Sequence, residues 1–214
     1  MPAQSAGFGC LGFVDAACLE VFCGRVDNPG PEEISAMKTL TLVFVLFYTM
    51  VAHADVRTVP YVDLQKYAGT WFEIGSIPQI FQLGCKCTYA QYGVRADGDI
   101  DVKNTCFRNG KERSVSGRAR VIDKQSNAKI QVRFGMPFYL PTRSGNYWVI
   151  GLDSQYRYSV VSNRDGSTLW ILSRTRELDP VLLDEAMKIA ESNGLDLSKL
   201  ELGTQEGCEA QEIY

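Results

Sequence analysis

Hydrophobic and polar positions alternate with a period of two through much of this chain. Ile130, Val132 and Phe134 fall on one face of an extended segment, and Lys129, Gln131 and Arg133 on the other. Ile100 and Val102 oppose Asp99, Asp101 and Lys103 in the same way. Between Trp71 and Arg174 the pattern resolves into eight runs rich in Val, Ile, Tyr, Phe and Thr, at about 70–76, 85–95, 99–107, 112–123, 128–135, 146–152, 156–162 and 167–174. The breaks carry Asp97-Gly98, Asn109-Gly110 and Asp165-Gly166, pairs that supply the positive φ of tight hairpins. Consecutive hairpins predict an antiparallel up-and-down meander.

After the last run the period changes. Asp179 is placed to cap a helix, and Pro180 suits its first position. Leu183, Ala186, Met187 and Ala190 form one apolar stripe, and Gly194 after Asn193 ends it. One helix cannot cover either face of an eight-stranded sheet. Closing the sheet on itself removes its edges and turns apolar faces inward. The predicted fold is therefore all-β, an eight-stranded antiparallel up-and-down β-barrel with one C-terminal α-helix packed outside. Eight strands enclose an interior that side chains fill or that holds one small ligand.

A different apolar pattern lies upstream, in "MKTLTLVFVLFYTMVAHADV". A lysine follows Met37, Thr39 to Ala52 carries no charge, and Ala52-His53-Ala54 is the small-x-small pattern read by signal peptidase. The run is short against the roughly 20 apolar residues of a transmembrane helix. Residues 37–54 are thus expected to be a secretory signal peptide, residues 1–36 a non-native extension from a start-site artefact, and residues 55–214 a single domain.

Composition then narrows the chemistry. The chain is 45% hydrophobic and 22% charged, as in an ordinary soluble globular protein. Of its 22 basic and 25 acidic residues, the segment before Asp55 holds Arg25, Lys38, Asp15, Glu20, Asp27, Glu32 and Glu33, which leaves 20 of each sign. Such a balance provides no electrostatic footprint for nucleic acid or an anionic surface. The only histidine, His53, leaves with the signal, so residues 55–214 cannot build a His-containing triad and lack the commonest metal ligand. No metal or cofactor is expected. Cys85, Cys87, Cys106 and Cys208 remain, an even number that reads as two disulfides in an exported chain.

Three segments resemble known sequence signatures. "GTWFEIG" (Gly69 to Gly75) resembles the G-x-W motif of the lipocalins, "YWVIGLD" (Tyr147 to Asp153) their second motif and "WILSRT" (Trp170 to Thr175) their third, in the family's order. The resemblance spans about 60–208. With "AKIQVRFGMPFYLP" and "LWILSRT" it looks most like the branch that holds apolipoprotein D and the bacterial outer-membrane lipocalins. It implies a cup that binds a small hydrophobic ligand, such as a fatty acid or lysophospholipid, for transport, storage or membrane maintenance, and no catalysis.

The resemblance also implies roles for residues. Trp71 should sit at the closed base with Arg174 across its ring, and Gly69 should allow the tight turn before it. Tyr92, Asn104 and Trp170 match ligand-lining positions. Strand alternation adds Ala90, Ile100 and Val102 to that face, with Val132 and Phe134 as further candidates. The family pattern pairs Cys87 with Cys208. Cys85 and Cys106 then remain, although alternation points Cys106 inward and Cys85 outward unless the strand start bends.

One departure bears on location. Bacterial outer-membrane lipocalins carry a lipid-accepting cysteine at the cleavage site, and here Asp55 follows Ala54. The protein is expected to be exported in soluble form, periplasmic or extracellular, with any outer-membrane association made without a lipid anchor. Two alternatives stay open. One is an isomerase-like enzyme with Cys106 as nucleophile. The other is an interaction module with a filled barrel, acting through the loop "GMPFYLPTRSGN" (Gly135 to Asn146). Exposure of its Phe138, Tyr139 and Leu140 would favour a homodimer or peripheral membrane contact.

Overall fold

Gly69, at φ 96°, turns the chain from a short helix into the first strand. That helix, Leu64–Tyr67, is capped by the Asp63 side chain, which accepts from the Gln65 and Lys66 amides. The computed structural model describes residues 56–135 and 144–208. The strands are β1 (Gly69–Ser76), β2 (Lys86–Val94), β3 (Ile100–Arg108), β4 (Lys111–Val121), β5 (Lys129–Phe134), β6 (Tyr147–Leu152), β7 (Tyr158–Ser162), β8 (Leu169–Ser173) and β9 (Glu201–Leu202). Each pairs antiparallel with its neighbour, and β1 pairs with both β8 and β2, so the first eight close into a barrel. The two-residue β9, which the alternation does not reveal, adds to β1 at Gly75 and Ser76.

The hairpin turns separate by mechanism. Asn109 and Gly110 both take positive φ, 53° and 70°, as a two-residue turn between β3 and β4 requires. At the other two sites only the glycine does so. There Asp97 and Asp165 instead accept hydrogen bonds from the amides of Asp99 and Ser167, two residues on.

Apolar side chains pack on both sides of the barrel wall. Inside, Val62, Tyr67, Trp71, Val149, Val161 and Leu172 form the lower core, continued by Ile100, Val102, Ala119, Val121 and Ile130. Outside, the helix Pro180–Ser192, with Asp179 capping Val181, lays Ala186 and Ala190 against Trp148, Ile150, Tyr158 and Val160. A Cβ on Gly151 would come within 2.9 Å of Ile189, so this glycine lets the helix approach β6.

Two disulfides shape the rim: Cys87–Cys208 and Cys85–Cys106. Cys87 takes φ 52° and the β2–β3 register shifts between Lys86 and Tyr89. This bend at the strand start reconciles the inward Cys106 with Cys85. Beyond Phe72 and Tyr89 the β1–β2 ladder stops, and Gln205 from the tail takes over, donating to the carbonyls of Glu73 and Thr88. The proposed extension 1–36, the signal 37–54 and the loop residues Phe138, Tyr139 and Leu140 lie outside the described residues. Among the described residues no helix is long and apolar enough to cross a membrane.

Candidate functional site

The base of the barrel is sealed by a stack. Trp71 is fully buried and donates its indole N–H to the Tyr67 carbonyl, 2.8 Å. The Arg174 guanidinium lies 3.8 Å over the Trp71 ring and donates to the carbonyls of Thr70 and Lys66. This contact joins the first and third motif segments, and on its outer side Arg174 borders an open cleft with Lys66, Ser154, Gln155 and Tyr156.

Above the base is an apolar cavity of about 330 Å³, counted out to its open side. Strands β2 to β4 wall it with Tyr92, Val94, Ile100, Val102 and Ala119. Ile130 and Val132 of β5, Tyr147 of β6, and Leu64, Tyr67 and Ala68 at the base complete the lining, which contains no charged side chain. Only about 20 Å³ of that space accepts the centre of a water-sized sphere, well below the roughly 300–1,000 Å³ usual for small-molecule sites, so the lining side chains must move apart to admit an alkyl chain.

Of the eight expected ligand contacts, Tyr92, Ile100, Val102 and Val132 line this cavity. Phe134 packs against the same inner cluster without lining it. Ala90 is buried opposite Trp71 in the β1–β2 ladder, and Asn104 is half-buried on β3 with its Oδ1 buried and unpartnered. Trp170 does not line the cavity, and its indole N–H donates to Gln82 Oε1 at 3.3 Å. Gln82 belongs to the β1–β2 connection, which the strand pattern leaves as an unassigned loop. Cys106 is disulfide-bonded, so it presents no thiol.

The polar groups of the interior form two networks. In one, Tyr67 Oη lies 2.8 Å from Tyr147 Oη and 2.9 Å from Ser159 Oγ, and Tyr92 Oη lies 3.2 Å from Tyr147 Oη. Burial pushes Tyr67 up to about 12, and Tyr92 and Tyr147 are raised by the same cause, so all three remain protonated at neutral pH. Ser159 donates to the Gly151 carbonyl, 3.4 Å. One proton order then uses every donor: Tyr92 to Tyr147, Tyr147 to Tyr67, Tyr67 to Ser159, Ser159 to Gly151.

The other network surrounds Glu73. Its Oε1 accepts from Ser76 Oγ and its Oε2 from Gln82 Nε2, both at 2.8 Å. The residue is 9% exposed, and burial raises its pKa against the lowering effect of Ser76 and Gln82. Glu73 shares strand parity with Trp71, so alternation alone could have placed it inside. Tyr147 lies in an unbroken apolar run, and Tyr67 precedes the strand, so neither carries a comparable signal.

Comparison with known proteins agrees with this architecture. A family profile described as a lipocalin-like domain matches residues 62–205. Temperature-induced lipocalin-1 of Arabidopsis thaliana is 34% identical over 155 residues, covering 71% of this chain and 83% of that protein. Outer membrane lipoprotein Blc of Escherichia coli K12 is 34% identical over 139 residues (64% and 76%), and apolipoprotein D of Macaca fascicularis 33% over 153 residues (68% and 78%). Insecticyanin of the tobacco hornworm Manduca sexta, a solved structure, superposes with a TM-score of 0.57 at 21% identity, covering 74% of this chain and 88% of its own, which compares fold alone. The motif order, the closed barrel with its outer helix and these matches make the chain a member of the lipocalin family.

Proposed function

We propose that the barrel carries one single-chain amphiphile, a fatty acid, lysophospholipid or similar lipid, with its alkyl chain in the cavity beneath the mouth. The observation that carries this reading is the apolar, uncharged lining contributed by Tyr92, Ile100, Val102, Val132 and their neighbours. Burying alkyl surface there stabilises the complex by about 25 cal/mol per Å², less the cost of immobilising the ligand. Ala90, Asn104, Phe134 and Trp170 share the inner face above and beside the cavity and would be reached by a longer chain. The protein would work after export, in lipid transport, storage or membrane maintenance. That one relative is named an outer membrane lipoprotein supports a role near membranes. Catalysis is no part of this reading, since Cys106 is held in a disulfide.

A second feature favours peripheral membrane contact. The β1–β2 connection, at the end of the barrel opposite Trp71, exposes Ile80 (88%), Phe81 (71%) and Leu83 (59%). Such a tip suits a protein that collects its ligand from a bilayer.

The test is native mass spectrometry of residues 55–214 with palmitate and with lysophosphatidylcholine. A one-to-one adduct is expected in wild type, and Val102→Phe, which fills the cavity, should abolish it while the far-ultraviolet circular dichroism is unchanged. Absence of an adduct with every single-chain amphiphile tried refutes the proposal.

A further inference from the structure

The inner face of β3 changes character along its length. Its register with β4 runs without a shift from Ile100 to Arg108, so Ile100, Val102, Asn104, Cys106 and Arg108 share one side. Ile100 and Val102 line the cavity. Asn104 follows with a buried, unpartnered Oδ1, then the disulfide-bonded Cys106, then Arg108 at the mouth. From base to mouth the column reads apolar, apolar, amide, disulfide, cation. This is the polarity order of an amphiphile lying tail-down along the strand.

Arg108 is incompletely satisfied. Its Nη2 donates to the Phe81 carbonyl at 2.9 Å and approaches Cys85 Sγ at 3.7 Å, but its Nε is buried with no hydrogen-bond partner. No carboxylate pairs with it among the described residues. Glu73, the buried carboxyl of the inner face, is occupied by Ser76 and Gln82. Buried donors are normally paired, and a guanidinium presents its N–H groups in a fork that matches carboxylate and phosphate oxygens.

We infer that Arg108 is the residue that receives the ligand's anionic end, a carboxylate or phosphate oxygen, with Asn104 beneath it as the polar step between head and alkyl chain. The inference rests on the amphiphile-carrier reading and deepens it, assigning the charge of the ligand and the side chain that selects it.

Displacement of the neutral fluorophore N-phenyl-1-naphthylamine separates the possibilities. Palmitate, hexadecyl phosphate and hexadecanol share a chain length and differ in head group, and are compared at about pH 8, where the first two are anionic. Arg108→Gln should weaken one or both anions by about tenfold while leaving hexadecanol within about twofold. Which anion responds more tells carboxylate from phosphate. Arg108→Lys, which keeps charge but loses the fork, should fall between. Equal weakening of all three ligands, or no change in any, overturns the assignment and leaves the carrier reading standing, because hexadecanol still reports the cavity. If none of the three displaces the probe from wild type, the carrier reading fails and the assignment falls with it. Thermal unfolding of each variant confirms that the barrel is intact.

Discussion

Replacing Cys87 and Cys208 together by serine should destabilise the barrel more than replacing Cys85 and Cys106, and the margin follows from the lengths of chain closed. The first bridge spans 121 residues and the second 21. In the chain-entropy account these loops are worth about 4.9 and about 3.3 kcal/mol, a margin of about 1.6 kcal/mol set by the logarithm of the length ratio. The structure widens that margin. The Cys87 amide donates to the Thr204 carbonyl at 2.9 Å, and Gln205 bridges the carbonyls of Glu73 and Thr88 at 3.1 and 2.8 Å. Without the Cys208 anchor the end of the tail depends on these bonds, on Gly203 N–H donating to the Ile74 carbonyl and on the two-residue pairing of β9 with β1. The assay is urea unfolding of both double-serine variants of residues 55–214, extrapolated linearly to water. An equal or larger loss for the Cys85/Cys106 variant would refute the reasoning. That outcome would locate the greater stabilisation in the bent start of β2, where the shorter bridge acts on the native state.

Two further predictions concern the base and the buried acid. Arg174→Met removes the cation over Trp71 and both donors to the Thr70 and Lys66 carbonyls, so it should cost about 2–4 kcal/mol by denaturant unfolding; a loss under about 0.5 kcal/mol would show that the stack does not hold the base. Glu73 has its folded pKa raised above the ordinary 4.5 by burial, so the native state holds its proton more tightly than the unfolded chain does. Its favourable contribution is present below 4.5 and is lost as pH rises through the folded value. Glu73→Gln cannot ionise, so its melting temperature should match wild type near pH 4 and exceed it at neutral pH, whereas a gap that stays constant across that range would contradict the linkage.

The barrel was legible because its code is local. Alternation in β3 and β5, the Asn109-Gly110 turn and the capped helix each follow from a few adjacent residues, and each lies within one or two residues of its expected bounds. The cavity was half legible for the same reason. Ile100, Val102 and Val132 were placed by parity, and parity is kept where β3 and β4 pair without interruption. Tyr92 came from family resemblance rather than from the pattern. The same resemblance implies Trp170, which lies outside the lining and hydrogen-bonds Gln82 from 88 residues away. Neither period nor motif encodes that contact.

The least legible feature is the irregularity in β1, and it connects the tail to the buried acid. The β1–β8 register shifts between Glu73 and Gly75, so Glu73 and Ser76, three residues apart, pair with Leu172 and Trp170, while Gly75 pairs with Ile171. A strict period of two places Gly75 with Glu73 and Ser76 on the opposite face. The shift brings the Ser76 hydroxyl to the Glu73 carboxyl, giving the acid one of its two hydrogen bonds. It also turns Gly75 toward β9, where a Cβ would come within 3.2–3.3 Å of the Glu201 carbonyl and the side chains of Leu200 and Leu202. A Cβ at position 75 would push the tail strand back by a few tenths of an ångström, so the glycine lets β9 dock at its observed spacing beside the bulge. One extra residue in one strand thus fixes both how the C-terminal tail returns to the barrel and how a carboxyl group is kept inside it.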